Sequence, residues 1–291
     1  MIIFHDPACV EYHRAGDPER PARITKTAQV LKERHPNWAW RKPPAATDIQ
    51  LLRAHSREHL EHVATATRDF DGDTPAHPNI DRYARQSAGA AIAAAAAALD
   101  NGEAFSLMRP PGHHATHDRA MGFCYFSNIA IAALDALEKG AERVAIWDFD
   151  AHHGNGTEAI VGRDPRIAFA SIHQHPGYPG TGLTSFANVY NYPIPPYAER
   201  GVHMDAIEDA LQKLVGFKPS LLLVSAGFDA YSGDPITQMT LEHEDFVTLG
   251  KWLRDVAIPS AAILEGGYSD DLPELVDAFL TSWSGAKVSA V

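Results

Sequence analysis

The sequence predicts an α/β protein built on a parallel sheet, and two observations support this fold class. Short apolar runs alternate with helical patterns along the chain, which is typical of βαβ units. One run, residues 221–224, reads Leu-Leu-Leu-Val, and a continuous apolar strand of this kind fits burial on both faces of a sheet. Because the 291 residues contain no long linker and no internal repeat, we expect a single domain over residues 1–291.

The predicted elements alternate between strand and helix. The alanine-rich run 88–99 predicts a helix, and it ends at the turn-forming sequence Asp-Asn-Gly of residues 100–102. The candidate strands are short apolar runs at residues 104–108, 143–149, 167–172, 221–225 and 261–264. The candidate helices between them are residues 128–139, 204–215 and 244–256.

Composition and charge exclude several classes of protein. With 25 Lys and Arg against 37 Asp and Glu, the net charge of −12 repels phosphate backbones, so we expect no nucleic-acid partner. Two cysteines, Cys9 and Cys124, are too few for a disulfide framework and favour a reducing, cytoplasmic location. The first six residues reach a histidine and an acid without a signal-peptide core, and no apolar run is long enough to span a membrane. We therefore expect no membrane partner.

Polar motifs stand where the predicted strands end. In open parallel sheets, ligands bind outside the carboxyl ends of the strands, so motifs that are far apart in sequence can meet at one site. We expect such a convergence here. The motifs are residues 109–114, 148–156, 171–173, 225–229 and 265–268.

One of these motifs has the spacing of a metal site. Asp148, Asp150 and His152 share strand parity, so their side chains lie on one face if the strand stays extended to its end. Carboxylate oxygen and imidazole nitrogen suit zinc or another first-row divalent ion. Asp229, at the end of another strand, would supply the third protein ligand of a catalytic site. The alternative is a strand end whose polar groups are satisfied without a metal.

Two further motifs indicate proton transfer and oxyanion stabilisation. His113 and His114 follow the rigid Pro-Pro-Gly turn of residues 110–112, and they are metal ligands, surface residues or a pair that moves protons beside a metal-bound water. The Glu-Gly-Gly-Tyr turn of residues 265–268 lets the backbone approach closely and presents a phenol. The Tyr268 hydroxyl is a hydrogen-bond donor for a developing oxyanion.

Together these motifs resemble the zinc-dependent histone deacetylase superfamily, which includes bacterial histone deacetylase-like amidohydrolases and acetylpolyamine amidohydrolases. The matches run in family order over nearly the whole chain. They are residues 18–24, 109–114, 122–125, 148–156, 179–182, 227–229 with 233–235, and 265–268. Asn155 stands where class I enzymes carry an acid, so the chain looks class II-like. The resemblance implies the arginase–deacetylase fold, a parallel sheet of about eight strands flanked by helices on both faces.

The resemblance also implies residue roles. The implied ligands of one Zn²⁺ per chain are Asp150, His152 and Asp229. By resemblance His114 is the general base and then the acid for the leaving amine, while His113 is mainly electrostatic. Asp148 would hold His113, and Asn155 would orient His114 without the charge that raises the pKa of an imidazole. Tyr268 would donate to the oxyanion.

A potassium site and a substrate channel are implied in the same way. Oxygens for a K⁺ ion, mostly from the backbone, would come from Asp148, Asp150, His152, Ser171 and Ile172. Phe123 and Tyr178 match aromatic positions that line a narrow channel suited to the aliphatic stem of an acyl-lysine, and Gly122 is expected there too.

The substrate prediction depends on Ile236. Relatives selective for acetylpolyamines can place a glutamate gate at this position, seven residues beyond the third implied zinc ligand. An apolar residue cannot offset the desolvation of an internal ammonium, so acetyl-lysine-type substrates are favoured over acetylpolyamines. Asp73 is a rim residue in this interpretation, where relatives use an acid or hydroxyl to hold a peptide backbone.

Two other readings share the implied fold. A binuclear manganese ureohydrolase would need a second bridging carboxylate, but this chain continues from His152 into His153 and Gly154. A catalytically inactive acyl-binding scaffold would have lost Tyr268 or one of the histidines, and all of them are present. We therefore predict a zinc-dependent amidohydrolase that deacetylates a small acylated amine or acyl-lysine, with acetylpolyamine hydrolysis as the alternative.

Overall fold

A computed structural model describes residues 1–286, and its strands form one sheet of eight, ordered β2-β1-β3-β8-β7-β4-β5-β6. All neighbouring pairs are parallel. The strands are β1 (Ile2–Phe4), β2 (Ala39–Arg41), β3 (Glu103–Ser106), β4 (Val144–Asp148), β5 (Ile167–Gln174), β6 (Val189–Ile194), β7 (Leu221–Ala226) and β8 (Ser260–Leu264).

Helices cover both faces of the sheet. They are α1 (Ala22–Arg34), α2 (Asp48–Leu51), α3 (Arg57–Thr65), α4 (Ile80–Asn101), α5 (Asn128–Glu138), α6 (Asn155–Val161), α7 (Arg200–Gly216), α8 (His243–Asp255) and α9 (Leu272–Ser284), with a 3₁₀ turn at Pro7–Val10. α4 packs on α5, while α9 packs on both α1 and α8. Within residues 1–286, no helix is long and apolar enough to cross a membrane.

The predicted parallel α/β sheet is confirmed, and the five predicted strands are β3, β4, β5, β7 and β8. β4, β5, β7 and β8 are buried along their whole length, as their continuous apolar sequences require. The predicted helices are present with shifted starts: α4 begins at Ile80 and α7 at Arg200, earlier than their most apolar stretches. The single domain over residues 1–291 stays a prediction, and its last five residues lie outside the described range.

Strand order explains why the polar motifs meet. β3, β8, β7 and β4 are consecutive neighbours in the middle of the sheet, and β5 follows β4. Because all strands are parallel, the segments that leave their carboxyl ends emerge side by side at one edge. The residues that follow these central strands therefore build a common site, although they come from distant parts of the chain.

Candidate active site

A sharp bend after β4 creates the first part of the site. β4 ends at Asp148, so the condition for a shared face, a strand that stays extended to His152, is not met. The Asp150 amide donates to Asp148 Oδ1 (3.2 Å), and the His152 amide donates to Asp150 Oδ1 (2.8 Å). These local side-chain bonds replace the sheet ladder and turn the chain. As a result, Asp150 and His152 face one point, while Asp148 faces a different partner.

Asp150, His152 and Asp229 form a compact, metal-capable triad. Each offers one ligand atom, and these atoms all lie within 4.8 Å of one another. His152 Nδ1 lies 3.1 Å from Asp150 Oδ1 and 2.9 Å from Asp229 Oδ2. Asp229 follows β7, the strand next to β4, and its Oδ1 accepts from the Ala151 amide (2.8 Å). Two buried carboxylates and one imidazole thus converge.

A glycine leaves room for the triad. The Gly266 amide donates to Asp150 Oδ2 (2.7 Å), which requires the backbone after β8 to pass directly against the two carboxylates. A Cβ atom at Gly266 would overlap the side-chain oxygens of Asp150 and Asp229. Glycine at this position is therefore a condition for bringing β8 and the triad together.

The electrostatic interactions within the triad favour the binding of a cation. Burial and the charge of Asp150 raise the pKa of Asp229. Burial opposes the charged form of His152, but the carboxylates of Asp229 and Asp150 outweigh it and hold the His152 pKa well above its ordinary value. The cluster therefore favours positive charge, which protonated His152 supplies among the described residues. A divalent cation would meet the same demand.

The two adjacent histidines have opposite electrostatic environments. Their ring centroids lie 4.0 Å apart, yet His113 Nδ1 faces Asp148 Oδ2 at 3.1 Å and His114 Nδ1 faces Asn155 Oδ1 at 2.7 Å. Burial lowers the pKa of His113, but the charges of Asp150 and Asp148 outweigh it and raise it to about 10. Burial and the charge of His113 hold the pKa of His114 well below its ordinary value.

This arrangement fixes the protonation state and the tautomer of His114. A neutral imidazole whose Nδ1–H donates to the Asn155 oxygen has no proton on Nε2. The Asn155 amide nitrogen also donates to the His114 carbonyl oxygen (3.3 Å), so one side-chain amide bonds both the ring and the backbone of His114. His114 therefore presents a proton acceptor to the cavity, while His113 presents a fixed positive charge beside it.

Buried charges that the sequence analysis did not assign hold the histidine turn. Glu265 Oε2 accepts from the amides of Gly112 (2.6 Å) and His113 (3.1 Å), so the end of β8 anchors the turn after β3. Arg109 donates to Glu19 Oε1 (2.8 Å) and Oε2 (2.6 Å). The segment 18–24, which matches the family, therefore stabilises this turn through the buried Glu19 side chain. An acid directly after a buried strand is the signal that would have found Glu265.

A cavity of about 250 Å³ opens beside the triad. Its lining residues are Pro18, Asp73, His114, Gly122, Phe123, His152, Tyr178, Ile236 and Tyr268. All four residues predicted to contact substrate are in this set, as is Asp73, which was expected at the rim. Pro18 also lines the cavity, and the sequence did not predict this. The Phe123 and Tyr268 rings lie 5.8 Å apart, so an apolar wall stands next to the phenol.

The residues predicted for potassium lie at the end of β4, in the bend that follows it, and on the adjoining strand β5. Asp148 pairs with Ser171 in the β4–β5 register, and Ile172 follows Ser171. Contrary to expectation, residues 171–173 lie inside β5, which runs to Gln174, rather than after it. Ser171 Oγ lies 3.0 Å from His173 Nδ1. The structure thus places Ser171 next to the end of β4, and the ion itself stays a prediction.

An eight-stranded parallel sheet with this site at its carboxyl edge is the arginase–deacetylase fold. A crystal structure of acetylpolyamine aminohydrolase from Burkholderia pseudomallei superposes with a TM-score of 0.89 at 28% identity, over 98% of this chain and 99% of that one. The predicted fold is therefore confirmed.

The chain belongs to the histone deacetylase domain family, which matches residues 17–282. A probable deacetylase of Methanothermobacter thermautotrophicus is 36% identical over 93% of this chain and 86% of its own length. A histone deacetylase-like amidohydrolase of Pseudomonas aeruginosa is 39% identical over 79% of this chain and 66% of its own. The family hydrolyses amides and is generally metal-dependent, so the predicted resemblance and the predicted hydrolase class are confirmed.

Proposed function

We propose that this chain is a zinc-dependent deacetylase that prefers acetyl-lysine-type substrates. The observation that carries the proposal is the convergence of a metal-capable triad, a neutral histidine and a buried phenol on one cavity. Asp150, His152 and Asp229 would hold the ion, because two carboxylates and one imidazole are a donor set that suits Zn²⁺ and leaves coordination positions open. Bound zinc would polarise the substrate carbonyl and acidify the attacking water.

The chain's own residues supply the proton transfers. His114 Nε2 accepts the proton of the attacking water and then passes it to the leaving amine. Asn155 keeps this imidazole in the required tautomer through the 2.7 Å bond to Nδ1. His113, charged through Asp148, stabilises negative charge that develops on the substrate.

Tyr268 donates a hydrogen bond to the oxyanion. Burial raises the pKa of its phenol well above the ordinary value, so the hydroxyl keeps its proton at neutral pH and remains a donor. The Tyr268 ring lines the cavity, and because the residue is only 6% exposed, bulk solvent has little access to it. A buried donor of this kind stabilises charge more strongly than a solvated one.

The cavity wall supports the substrate preference. Phe123 and Tyr178 offer aromatic surface to an aliphatic stem, and Ile236 offers no charge to an internal ammonium. Asp73 stands on the same wall and can accept from a peptide N–H.

Acetylpolyamine hydrolysis is the second candidate function, and one observation favours it. Burial raises the pKa of Tyr178, and the charges of Asp71 and, less strongly, Asp73 raise it further, so two carboxylates act on the aromatic wall of the cavity. Carboxylates at this place can attract a polycation. The similar crystal structure of an acetylpolyamine aminohydrolase points the same way.

We also infer a K⁺ ion bound by Asp148, Asp150, His152, Ser171 and Ile172, a single domain over residues 1–291, and a cytoplasmic location without nucleic-acid or membrane partners. The pairing of Asp148 with Ser171 supports the ion, and the single sheet supports the single domain. The two free, buried cysteines, Cys9 and Cys124, fit a reducing compartment.

The substrate is tested with a panel of acetyl-lysine peptides, acetylspermidine and acetylputrescine, assayed for kcat/KM at physiological salt. We expect higher values for the peptides, because salt screens diffuse attraction of polyamines beyond about 8–10 Å. An Ile236→Glu variant should shift the ratio toward polyamines, since it adds a carboxylate to the cavity wall. A clear polyamine preference of the unchanged protein would contradict the acetyl-lysine assignment and favour the second function.

A further inference from the structure

The peptide group that precedes Tyr268 is held at both ends by the buried side chains of Arg23 and Asp234. Arg23 Nε donates to the Gly267 carbonyl oxygen (2.6 Å), and Asp234 Oδ2 accepts from the Tyr268 amide (2.7 Å). These carbonyl and amide atoms belong to the same planar peptide, so the two bonds fix the orientation of that plane. Arg23 and Asp234 are 3% and 6% exposed, so water competes little for either bond.

The second oxygen of Asp234 reaches another wall of the cavity. Asp234 Oδ1 accepts from the Ile236 amide at 3.1 Å. Ile236 and Tyr268 both line the cavity, but they belong to the segments after β7 and β8 respectively. One carboxylate therefore uses both oxygens to join two cavity walls through their backbones.

Glycine makes this restraint necessary. Gly267 has φ +112°, a conformation that L side chains rarely adopt, so no Cβ atom limits the rotation of the following peptide. The Tyr268 ring is contacted on its face by the Arg23 guanidinium, 4.7 Å from the ring centroid. Ring contacts restrict where the phenol can lie, but the peptide bonds determine the direction in which the side chain leaves the backbone.

We propose that Asp234 is a positioning residue that acts through Tyr268, setting the place of the phenol hydroxyl relative to the opposite cavity wall. This inference rests on the proposed function, in which that hydroxyl donates to the oxyanion. Misplacement of a catalytic group by about 1 Å can cost roughly a hundredfold in rate. Asp234 itself touches backbone amides rather than substrate, so its effect must pass through the residues that it holds.

The Asp234→Asn variant tests this role. Asparagine has nearly the same volume, but one oxygen is replaced by an NH₂ group that cannot accept from an amide N–H. We expect kcat for an acetyl-lysine peptide to fall about tenfold or more, with KM and metal content close to native. In the Tyr268→Phe background, the same Asp234→Asn change should alter kcat less than about threefold, because the hydroxyl that it positions is gone.

A matched control separates positioning from general damage. Asp245, buried at the start of α8, accepts from the Glu242 amide at 2.8 Å and lies outside the cavity. Asp245→Asn therefore removes a comparable buried acceptor, and its kcat should stay native. If Asp234→Asn does not fold, Asp234→Glu gives the same comparison, because it keeps two acceptor oxygens and displaces them by one methylene.

The outcomes are distinguishable. An equal loss of kcat with and without the Tyr268 hydroxyl would overturn the role of Asp234 and leave the deacetylase assignment intact. Inactivity of the unchanged protein toward every acetylated substrate would overturn both. A loss confined to the background that carries the hydroxyl would support the proposal, since a merely structural residue affects both backgrounds alike.

Discussion

The adjacent histidines His113 and His114 differ in charge because their hydrogen-bond partners differ. His113 faces the carboxylate of Asp148, and His114 faces the neutral amide of Asn155. A charged partner stabilises the imidazolium form, whereas a neutral one orients the ring without doing so. One short turn therefore carries both a positive charge and a proton acceptor, which are the two groups that the proposed mechanism uses on this side of the cavity.

Replacing Tyr268 by phenylalanine should separate catalysis from metal binding. The variant keeps the ring and removes the buried donor, so kcat should fall about a hundredfold to a thousandfold, as for other oxyanion donors, with KM and metal content unchanged. Steady-state kinetics and elemental analysis measure these quantities. Tyr231→Phe is the control, because the Tyr231 hydroxyl bonds Asp271 outside the cavity and its removal should leave kcat native. A near-native kcat for Tyr268→Phe would contradict the donor role.

At the scale of single residues, the sequence was sufficient to identify groups whose partners are close in the chain. The spacing of Asp150 and His152 was enough to indicate a metal site, although a bend after β4, and not an extended strand, brings them together. Asp234 and Glu265 escaped assignment because they bond backbone amides that are distant in the chain. The sequence can mark such an acid, as the position of Glu265 directly after β8 does, but a backbone amide carries no residue-specific signal, so only the fold reveals the partners.

Among the elements, the segment before α1 depends on a buried ion cluster. The carboxylate of Glu19 bonds both Arg109 and Arg23, and all three side chains are buried. Burial raises the pKa of Glu19, but the charges of Arg109 and then Arg23 outweigh it and leave the pKa below its ordinary value. The carboxylate is therefore charged at neutral pH, and the stability that it contributes is lost only in acid, as pH falls through the lowered pKa.

Glu19→Gln should destabilise the fold strongly, because it leaves two guanidinium groups buried without a compensating charge. Breaking a buried ion pair from one side costs about 3–5 kcal/mol. The free energy of unfolding, measured by urea denaturation at neutral pH, should fall by this amount. Glu33→Gln on the exposed face of α1 is the matched control and should change it by less than about 0.5 kcal/mol. Equal small effects of the two substitutions would contradict the bracing role.

The strands that were not predicted from the sequence are short or lie at an edge of the sheet. β1 and β2 have three residues each and lie at one end of the sheet, and β6 lies at the other end. β6 reads Val-Tyr-Asn-Tyr-Pro-Ile, and its partly exposed pattern and its proline are tolerated because an edge strand needs fewer ladder bonds. A run of apolar residues identifies a central strand, and the edge strands β2 and β6 lack one. β1 is apolar and buried between two strands, but its three residues are too few to be recognised.

At the scale of the whole molecule, the order of the strands in the sheet contributes more to forming the site than any single motif does. Placing β3, β8, β7 and β4 side by side brings a histidine pair, a phenol and three metal-capable side chains to one edge of the sheet. Local spacing could predict that each motif is polar and lies at a strand end. Only the tertiary arrangement determines that His114, His152 and Tyr268 line one cavity of about 250 Å³.

Metal content and turnover, measured on the same preparation before and after chelation, test the zinc proposal most directly. We expect one zinc ion per chain, loss of turnover when the ion is removed, and recovery with Zn²⁺ or Co²⁺. Asp229→Ala should lose metal and turnover together, because it deletes one of the three triad side chains. Full deacetylase turnover by protein that elemental analysis shows to be free of metal would contradict the proposal.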